Sequence, residues 1–199
     1  MNIHKYKNYK EYEDSQKAAN MKKKSNVWAV EQNIKFLSEY LSAEKKILGL
    51  CHGTRTGKEI EWFRKHIPCT TVFGTEIGDA SAPNTIQWDF NKENPEWVGK
   101  FDFIYSNSFD HAFDPKETIN IWAKQLKPGG LILLEYDKRQ EHTGEISKKA
   151  NKTDPVSITV DEIIEFLPQW IDGAKMVDVL DMPIVKIGFQ KTIVVRINE

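Results

Sequence analysis

The sequence predicts an α/β fold: a mostly parallel sheet with helices on both faces, ending in an antiparallel hairpin. Three observations carry this expectation. From Lys46 onward, short apolar runs alternate with helical stretches. The run Leu131 to Tyr136 is apolar enough for a strand buried on both faces. Two final runs, Met176 to Leu180 and Lys186 to Ile197, are joined by a short turn around Asp181-Met182-Pro183, which suits an antiparallel pair.

The elements follow in order. Tyr6, Tyr9 and Tyr12 recur every three residues and roughly follow one helical face. They suit an amphipathic arm docked through its tyrosines, or a lid that touches the substrate. A helix from Val27 to Leu41 carries the stripe Val27, Val30, Ile34, Leu37 and Leu41. Ile47 to Cys51 is a first strand, followed by a polar turn and a helix from Lys58 to His66. Thr70 to Glu76 is rich in β-branched residues and reads as the second strand. Thr85 to Trp88 and Phe101 to Ser106 are the third and fourth. A helix from Thr118 to Leu126 is expected to stop at Pro128-Gly129-Gly130, before the fifth strand. Asp137 to Ser157 is a polar stretch too long for an ordinary connection. A helix from Asp161 to Leu167 is expected to end at Pro168. The organisation expected is a helical arm or cap over 1–43 and a main domain over 44–199.

Composition excludes several classes. The net charge is −1, so bulk charge does not favour a nucleic-acid binder. The first 24 residues nonetheless hold seven lysines against Glu11, Glu13 and Asp14. No apolar run approaches the roughly 18 residues of a membrane span, and no apolar stretch resembles a secretory signal. Cys51 and Cys69 are the only cysteines, too few for a disulfide framework or a four-thiolate metal site. The histidines show no metal-ligand spacing, so no metal is expected. A reduced, cytoplasmic protein follows from these features; the oligomeric state does not.

The turn after the first strand, His52-Gly53-Thr54-Arg55-Thr56-Gly57, is the candidate nucleotide site. Ligands bind outside the carboxyl ends of parallel strands, where helix N-termini offer free N–H groups. A phosphate loop is excluded: only three residues separate Gly53 from Gly57, and Glu59 replaces the magnesium-binding hydroxyl residue. A dinucleotide fingerprint is weakened because Arg55 stands at its middle glycine. Glu76 ends the second strand, where an acid accepts hydrogen bonds from ribose hydroxyls. Asp89 beside Phe90 suits an adenine ring, through its exocyclic amine and its face.

In this order, the turn, Glu76, Asp89-Phe90 and Lys127-Pro128-Gly129-Gly130 before a buried strand resemble a class I S-adenosylmethionine-dependent methyltransferase. The resemblance covers Lys45 to Tyr136, and the terminal hairpin is similar to the family's last two strands. It implies a Rossmann-like seven-stranded, mostly parallel sheet and S-adenosylmethionine as cofactor, with S-adenosylhomocysteine as product. It also implies cofactor contacts from Cys51, His52, Gly53, Thr54, Arg55, Gly57, Glu76, Ile77, Asp89, Phe90 and Asn107. The sequence departs from the family's first motif: Gly49 stands where an acid is expected, Cys51 at the first glycine and Arg55 at the third. Arg55 either pairs with the methionine carboxylate or with Glu59, four residues on.

Methyl transfer from a sulfonium needs acceptor and methyl held in line, with water excluded. For a hydroxyl acceptor a general base helps. The acceptor is expected over the ends of the fourth and fifth strands, near Asn107, Ser108, Asp110, His111 and Glu135. His111 is the natural base, oriented by Asp110 or Asp114; His142, in the long loop, is its rival. The small size of the chain favours a small-molecule or carbohydrate-like acceptor. The alternatives are a nicotinamide-dependent oxidoreductase, a non-catalytic subunit with a methyltransferase fold, and an RNA methyltransferase using the lysine-rich arm.

Overall fold

The computed structural model describes residues 1–43, 48–68, 70–141, 149–186 and 190–197. Cys69 and His142 lie outside them, as do Ile47 of the first expected strand and 187–189 of the last. The chain runs β1 (Asn2–Ile3), α1 (Tyr9–Lys22), α2 (Glu31–Ala43), β2 (Leu48–His52), α3 (Lys58–His66), β3 (Thr71–Glu76), β4 (Thr85–Gln87) and β5 (Phe101–Ser106). It continues with α4 (Pro115–Gln125), β6 (Leu126–Asp137), β7 (Val156–Ser157), α5 (Val160–Trp170), β8 (Lys175–Asp181) and β9 (Gln190–Arg196). Seven strands form one sheet in the order β4-β3-β2-β5-β6-β9-β8. Pairings are parallel from β4 to β6, and β9 is antiparallel to both β6 and β8. The expected sheet and closing hairpin are therefore present. β1 and β7 pair separately. No described helix is long and apolar enough to cross a membrane.

The sheet separates two cores, as alternation along its strands requires. Leu50, Ile104, Ile132 and Leu134 face α4 and α5, with Trp122 and Leu167. Cys51, Phe103, Tyr105, Leu131 and Leu133 face α2 and α3, with Leu37, Leu41 and Phe63. The chain leaves β2 for β3 on one side and later returns to β5 on the other. The carboxyl ends of β2 and β5 therefore flank a switch point, where a crevice opens.

Four boundaries differ from expectation, each for a local reason. α2 begins at Glu31 rather than Val27, because the carbonyls of Val27, Trp28 and Ala29 converge on the Lys186 ammonium (3.2, 2.8 and 3.1 Å). α4 begins at Pro115, where the Asp114 side chain accepts from the Glu117 N–H at 3.0 Å and proline suits the first turn. β6 starts directly at Leu126. Pro128-Gly129-Gly130 lies within it, at the register shift between the Phe101–Leu126 and Phe103–Leu131 pairs. α5 continues past Pro168 to Trp170, held by the Ile171 N–H to the Leu167 carbonyl at 3.1 Å.

Gly49 has a steric cause. A Cβ at this position would lie 2.1 Å from Cζ of Phe103. That ring is fully buried and 5.2 Å from the Phe63 ring, so it has no room to retreat. No side chain, and so no acid, fits at residue 49. Gly49→Ala should destabilise the protein by roughly 2 kcal/mol through overpacking. Urea denaturation reads this directly, and an unchanged midpoint would contradict the packing argument.

Candidate active site

The turn after β2 is set by backbone as much as by side chains. Gly53 has φ +73°, and a Cβ there would come within 2.8 Å of Ser108 Cβ. Arg55 also lies in the left-handed region, at φ 44°, a strain that persists where surrounding structure fixes it. What fixes it is Glu76: its carboxylate accepts from the Arg55 N–H at 2.9 Å and the Gly78 N–H at 3.2 Å. The acid at the end of β3 thus holds the turn in place and retains lone pairs for a ligand.

Two cavities flank this turn. The larger, about 250 Å³, is lined by Gly53, Thr54, Arg55, Glu59 and Asn107 on one side. Asp110, His111, Glu135, Arg139 and Gln190 line the other. The smaller, about 40 Å³, lies between Glu76, Ile77, Asp89 and Phe90 below and Tyr12, Gln16 and Asn20 of α1 above. Helix α1 covers this space closely. The Tyr12 hydroxyl donates to the His111 carbonyl at 3.0 Å, and Tyr9 donates to the Asp89 carboxylate. Asn91 also binds Asp89 through its backbone and side-chain N–H groups (3.0 and 2.8 Å). The Asp89 carboxylate, expected to meet adenine, is here engaged by the arm.

Beneath the larger cavity, on the α3 face of the sheet, lies a buried polar group. The Tyr105 hydroxyl donates to Glu135 Oε2 at 2.7 Å, and the Gln190 amide donates to Glu135 Oε1. Asn107 Nδ2 donates to Glu59 Oε1 at 3.3 Å. Glu59 Oε2, Arg55 Nε, Thr54 Oγ1 and Gln190 Oε1 are buried without a hydrogen-bond partner among the described residues. Burial pushes the Glu59 carboxyl up to about 7, and the nearby Glu135 charge adds to this. Its own N–H, Asn107 and Arg55 oppose the shift. Burial raises Glu135 as well. Arg55 and Glu59 are not within ion-pair distance among the described residues, so Arg55 does not pair with Glu59 as the four-residue spacing allowed.

His111 is set between the cavities. Gln16 Nε2 points at the Lys152 carbonyl (3.2 Å), which only accepts, so Gln16 Oε1 faces His111 Nδ1 at 3.1 Å. Nδ1 therefore carries the proton. Nε2 lies 3.7 Å from Asp110 Oδ1 and 3.9 Å from Asp154 Oδ1. Asp110 flanks the histidine, whereas Asp114 caps α4 and does not. The donor atoms of Asp110, His111 and Asp154 lie within 4.8 Å of one another. Spacing in the sequence did not reveal this group.

Other expected contacts fall elsewhere. The His52 ring is buried, stacked on Trp122 at 4.7 Å and held by Thr75 and Gln125 at 2.8 and 3.0 Å. Burial lowers its pKa to about 4, so the ring is neutral, and it lines neither cavity. Cys51 points into the α2/α3 core, where burial raises its thiol. Gly57 caps α3 at φ 69° and lines neither cavity. Sequence reasoning missed Trp28, which lines the larger cavity with the Arg139 guanidinium 5.2 Å from its ring centroid. Its only signal was an aromatic placed off the apolar stripe.

A model of the methyltransferase domain family matches residues 22–162. The chain belongs to this family. The match bears out the expected fold and enzyme class, and it sets aside the nicotinamide oxidoreductase reading. No curated protein sequence matches the chain. Among solved structures, it is similar to the 1,6-didemethyltoxoflavin N1-methyltransferase of Burkholderia thailandensis with bound 1,6-didemethyltoxoflavin and S-adenosylhomocysteine. That match has a TM-score of 0.75 at 16% identity, over 98% of this chain and 93% of the other. The N-methyltransferase NodS of Bradyrhizobium japonicum, also with S-adenosylhomocysteine, gives 0.64 at 14% identity over 94% and 100%. The [4+2]-cyclase SpnF gives 0.63 at 13% over 82% and 80%, so this fold also hosts another chemistry.

The charge state of Glu59 is testable through stability. In the fold its carboxyl holds a proton up to about 7, against 4.5 ordinarily. The folded state therefore binds the extra proton, and stability falls as pH rises from about 4.5 through about 7. Glu59→Gln should remove this loss. The variant should be more stable than the parent by up to roughly 3 kcal/mol at about pH 8, and similar to it at about pH 5. Denaturant unfolding at both pH values checks this, and an equal difference at each would contradict it.

Proposed function

We propose that the protein transfers the methyl group of S-adenosylmethionine to a small-molecule acceptor. The observation that carries this is the arrangement around the turn after β2. It joins the Glu76 carboxylate, at the end of β3, to a cavity of about 250 Å³ beside the switch point. Membership of the methyltransferase domain family supports the reaction, and the product bound in two of the similar structures supports the donor. The orphaned polar atoms of Arg55, Thr54 and Glu59 fit a ligand with a charged, hydrogen-bonding end.

The chain's residues divide the work. Glu76 receives the ribose hydroxyls; Ile77 and Phe90 flank the base. Gly53 lets the ligand approach the backbone. Arg55, with an unpartnered Nε, takes the methionine carboxylate through its planar fork. Bound there, the donor supplies an electrophilic methyl on a sulfonium. Asn107 and Ser108 border the path to that methyl. His111 accepts the acceptor's proton at Nε2, because Gln16 keeps the other nitrogen protonated. Asp110 and Asp154 stabilise the imidazolium that results. Helix α1 and Trp28 exclude water over the site.

We treat residues 1–43 as a cap over the 44–199 domain, on the contacts of Tyr9, Tyr12 and Gln16 with Asp89 and His111. The smaller cavity is far below a nucleoside's volume, so donor entry requires α1 to shift. A hydroxyl acceptor suits His111 as a base. The free, buried Cys51 thiol supports a reducing, cytoplasmic setting.

Titration calorimetry tests the donor. S-adenosylhomocysteine should bind at micromolar strength, about 8 kcal/mol, and NADH should give no heat. Glu76→Ala should lose binding at least about tenfold, the range of hydrogen bonds to a charged group. Binding of NADH alone, or no heat with the sulfur ligand, would overturn this reading.

A further inference from the structure

The family's acid cannot exist at residue 49, yet a ligand with an α-amino acid end carries an ammonium that needs a counter-charge. We propose that Glu59, from the first turn of α3, receives the donor's ammonium and so replaces the carboxylate excluded at Gly49. Arg55 and Glu59 then form a clamp for an amino acid zwitterion, one group for each charge. This inference rests on the donor assigned above.

Four observations support it. Glu59 lines the larger cavity beside Gly53, Arg55 and Asn107, next to the nucleotide turn. It lies over the same sheet face as Gly49 and Cys51, the face from which a side chain at 49 would project. Its residue is 5% exposed, and Oε2 has no partner among the described residues. A buried carboxylate with a vacant oxygen is costly to keep, and such groups concentrate at ligand sites. Finally, Arg55 leaves Glu59 unpaired although it lies four residues away, so both charges remain open to a ligand.

Titration gives the clamp a signature. The groups facing Glu59 are Glu135 from β6, Tyr105 from β5, Cys51 from β2, Arg55 from the turn and Asn107 after β5. Among these described groups only Arg55 is a cation. Glu59 is therefore partly protonated near neutral pH in the free protein. An ammonium favours its ionised form, so binding expels a proton. Affinity for such a ligand should rise between about pH 6 and pH 8.

The experiment uses the full chain with two probes, S-adenosylhomocysteine and 5′-methylthioadenosine, which keeps the nucleoside thioether but lacks the amino acid end. Calorimetry in buffers of different ionisation enthalpy counts the proton released. Near pH 7 the wild type should release a fraction of a proton, about one half, with the first probe and none with the second. Only the first should gain affinity with pH. Glu59→Gln should lose about tenfold to a hundredfold for S-adenosylhomocysteine and nothing for methylthioadenosine. Retained methylthioadenosine binding shows that the variant is folded, and the proton count in the wild type tests the idea without any variant. Unchanged S-adenosylhomocysteine affinity in Glu59→Gln, or no proton release in the wild type, would overturn the role of Glu59 while leaving the donor assignment standing. Failure of the wild type to bind either probe would remove both.

Discussion

The ring of Phe103 fills the space that a side chain at residue 49 would need. This contact between β2 and β5 joins the two central strands of the sheet, at the point where the chain reverses its order. Its consequences run along the strand. Phe103 packs with Phe63 and so seats α3 on the sheet. α3 in turn brings Glu59 to the carboxyl end of β2, beside the turn. A dense aromatic contact thus excludes an acid at one place and positions another nearby. Close packing makes this exclusion strict, since an interior at crystal density does not absorb an added methyl group freely.

The polar group beneath the cavity is the costly part of the structure. Glu59 and Glu135 are both buried, both raised by that burial, and they repel each other. Glu135 is satisfied by Tyr105 and Gln190, whereas Glu59 keeps one oxygen open. Hydrophobic burial on both sheet faces offsets this penalty. The same stability supports the left-handed backbone at Arg55, which Glu76 holds from β3. Above, α1 closes the nucleoside side through Tyr9, Tyr12 and Gln16. The last of these sets which nitrogen of His111 carries its proton.

Most of the scaffold was legible in the sequence because it rests on local signals. The β-branched run before Glu76, the apolar run at Leu131 and the helical stripe at Ile34-Leu37-Leu41 each specify an element without reference to the rest. The errors arose where distant groups intervene. Lys186 captures the carbonyls that would begin α2, and a register shift absorbs Pro128-Gly129-Gly130 into β6. The site was less legible. Glu76 and Asn107 at strand ends, and His111 in the turn after β5, follow from topology. Alternation turns the His52 ring to the Trp122 side, a packing that the turn's sequence alone does not specify. Glu59 was visible as a residue at a helix start and as a candidate partner of Arg55, but its burial beside Asn107 and Glu135, far away in sequence, was not. Asp154 reaches His111 across a separation that no spacing motif spans.

The most direct test is a crystal structure of the protein with S-adenosylhomocysteine. The account predicts the ribose on the Glu76 carboxylate, the amino acid end in the larger cavity between Arg55 and Glu59, and α1 displaced from the base. A ligand bound with its amino acid end away from Glu59, or outside the crevice between β2 and β5, would contradict it.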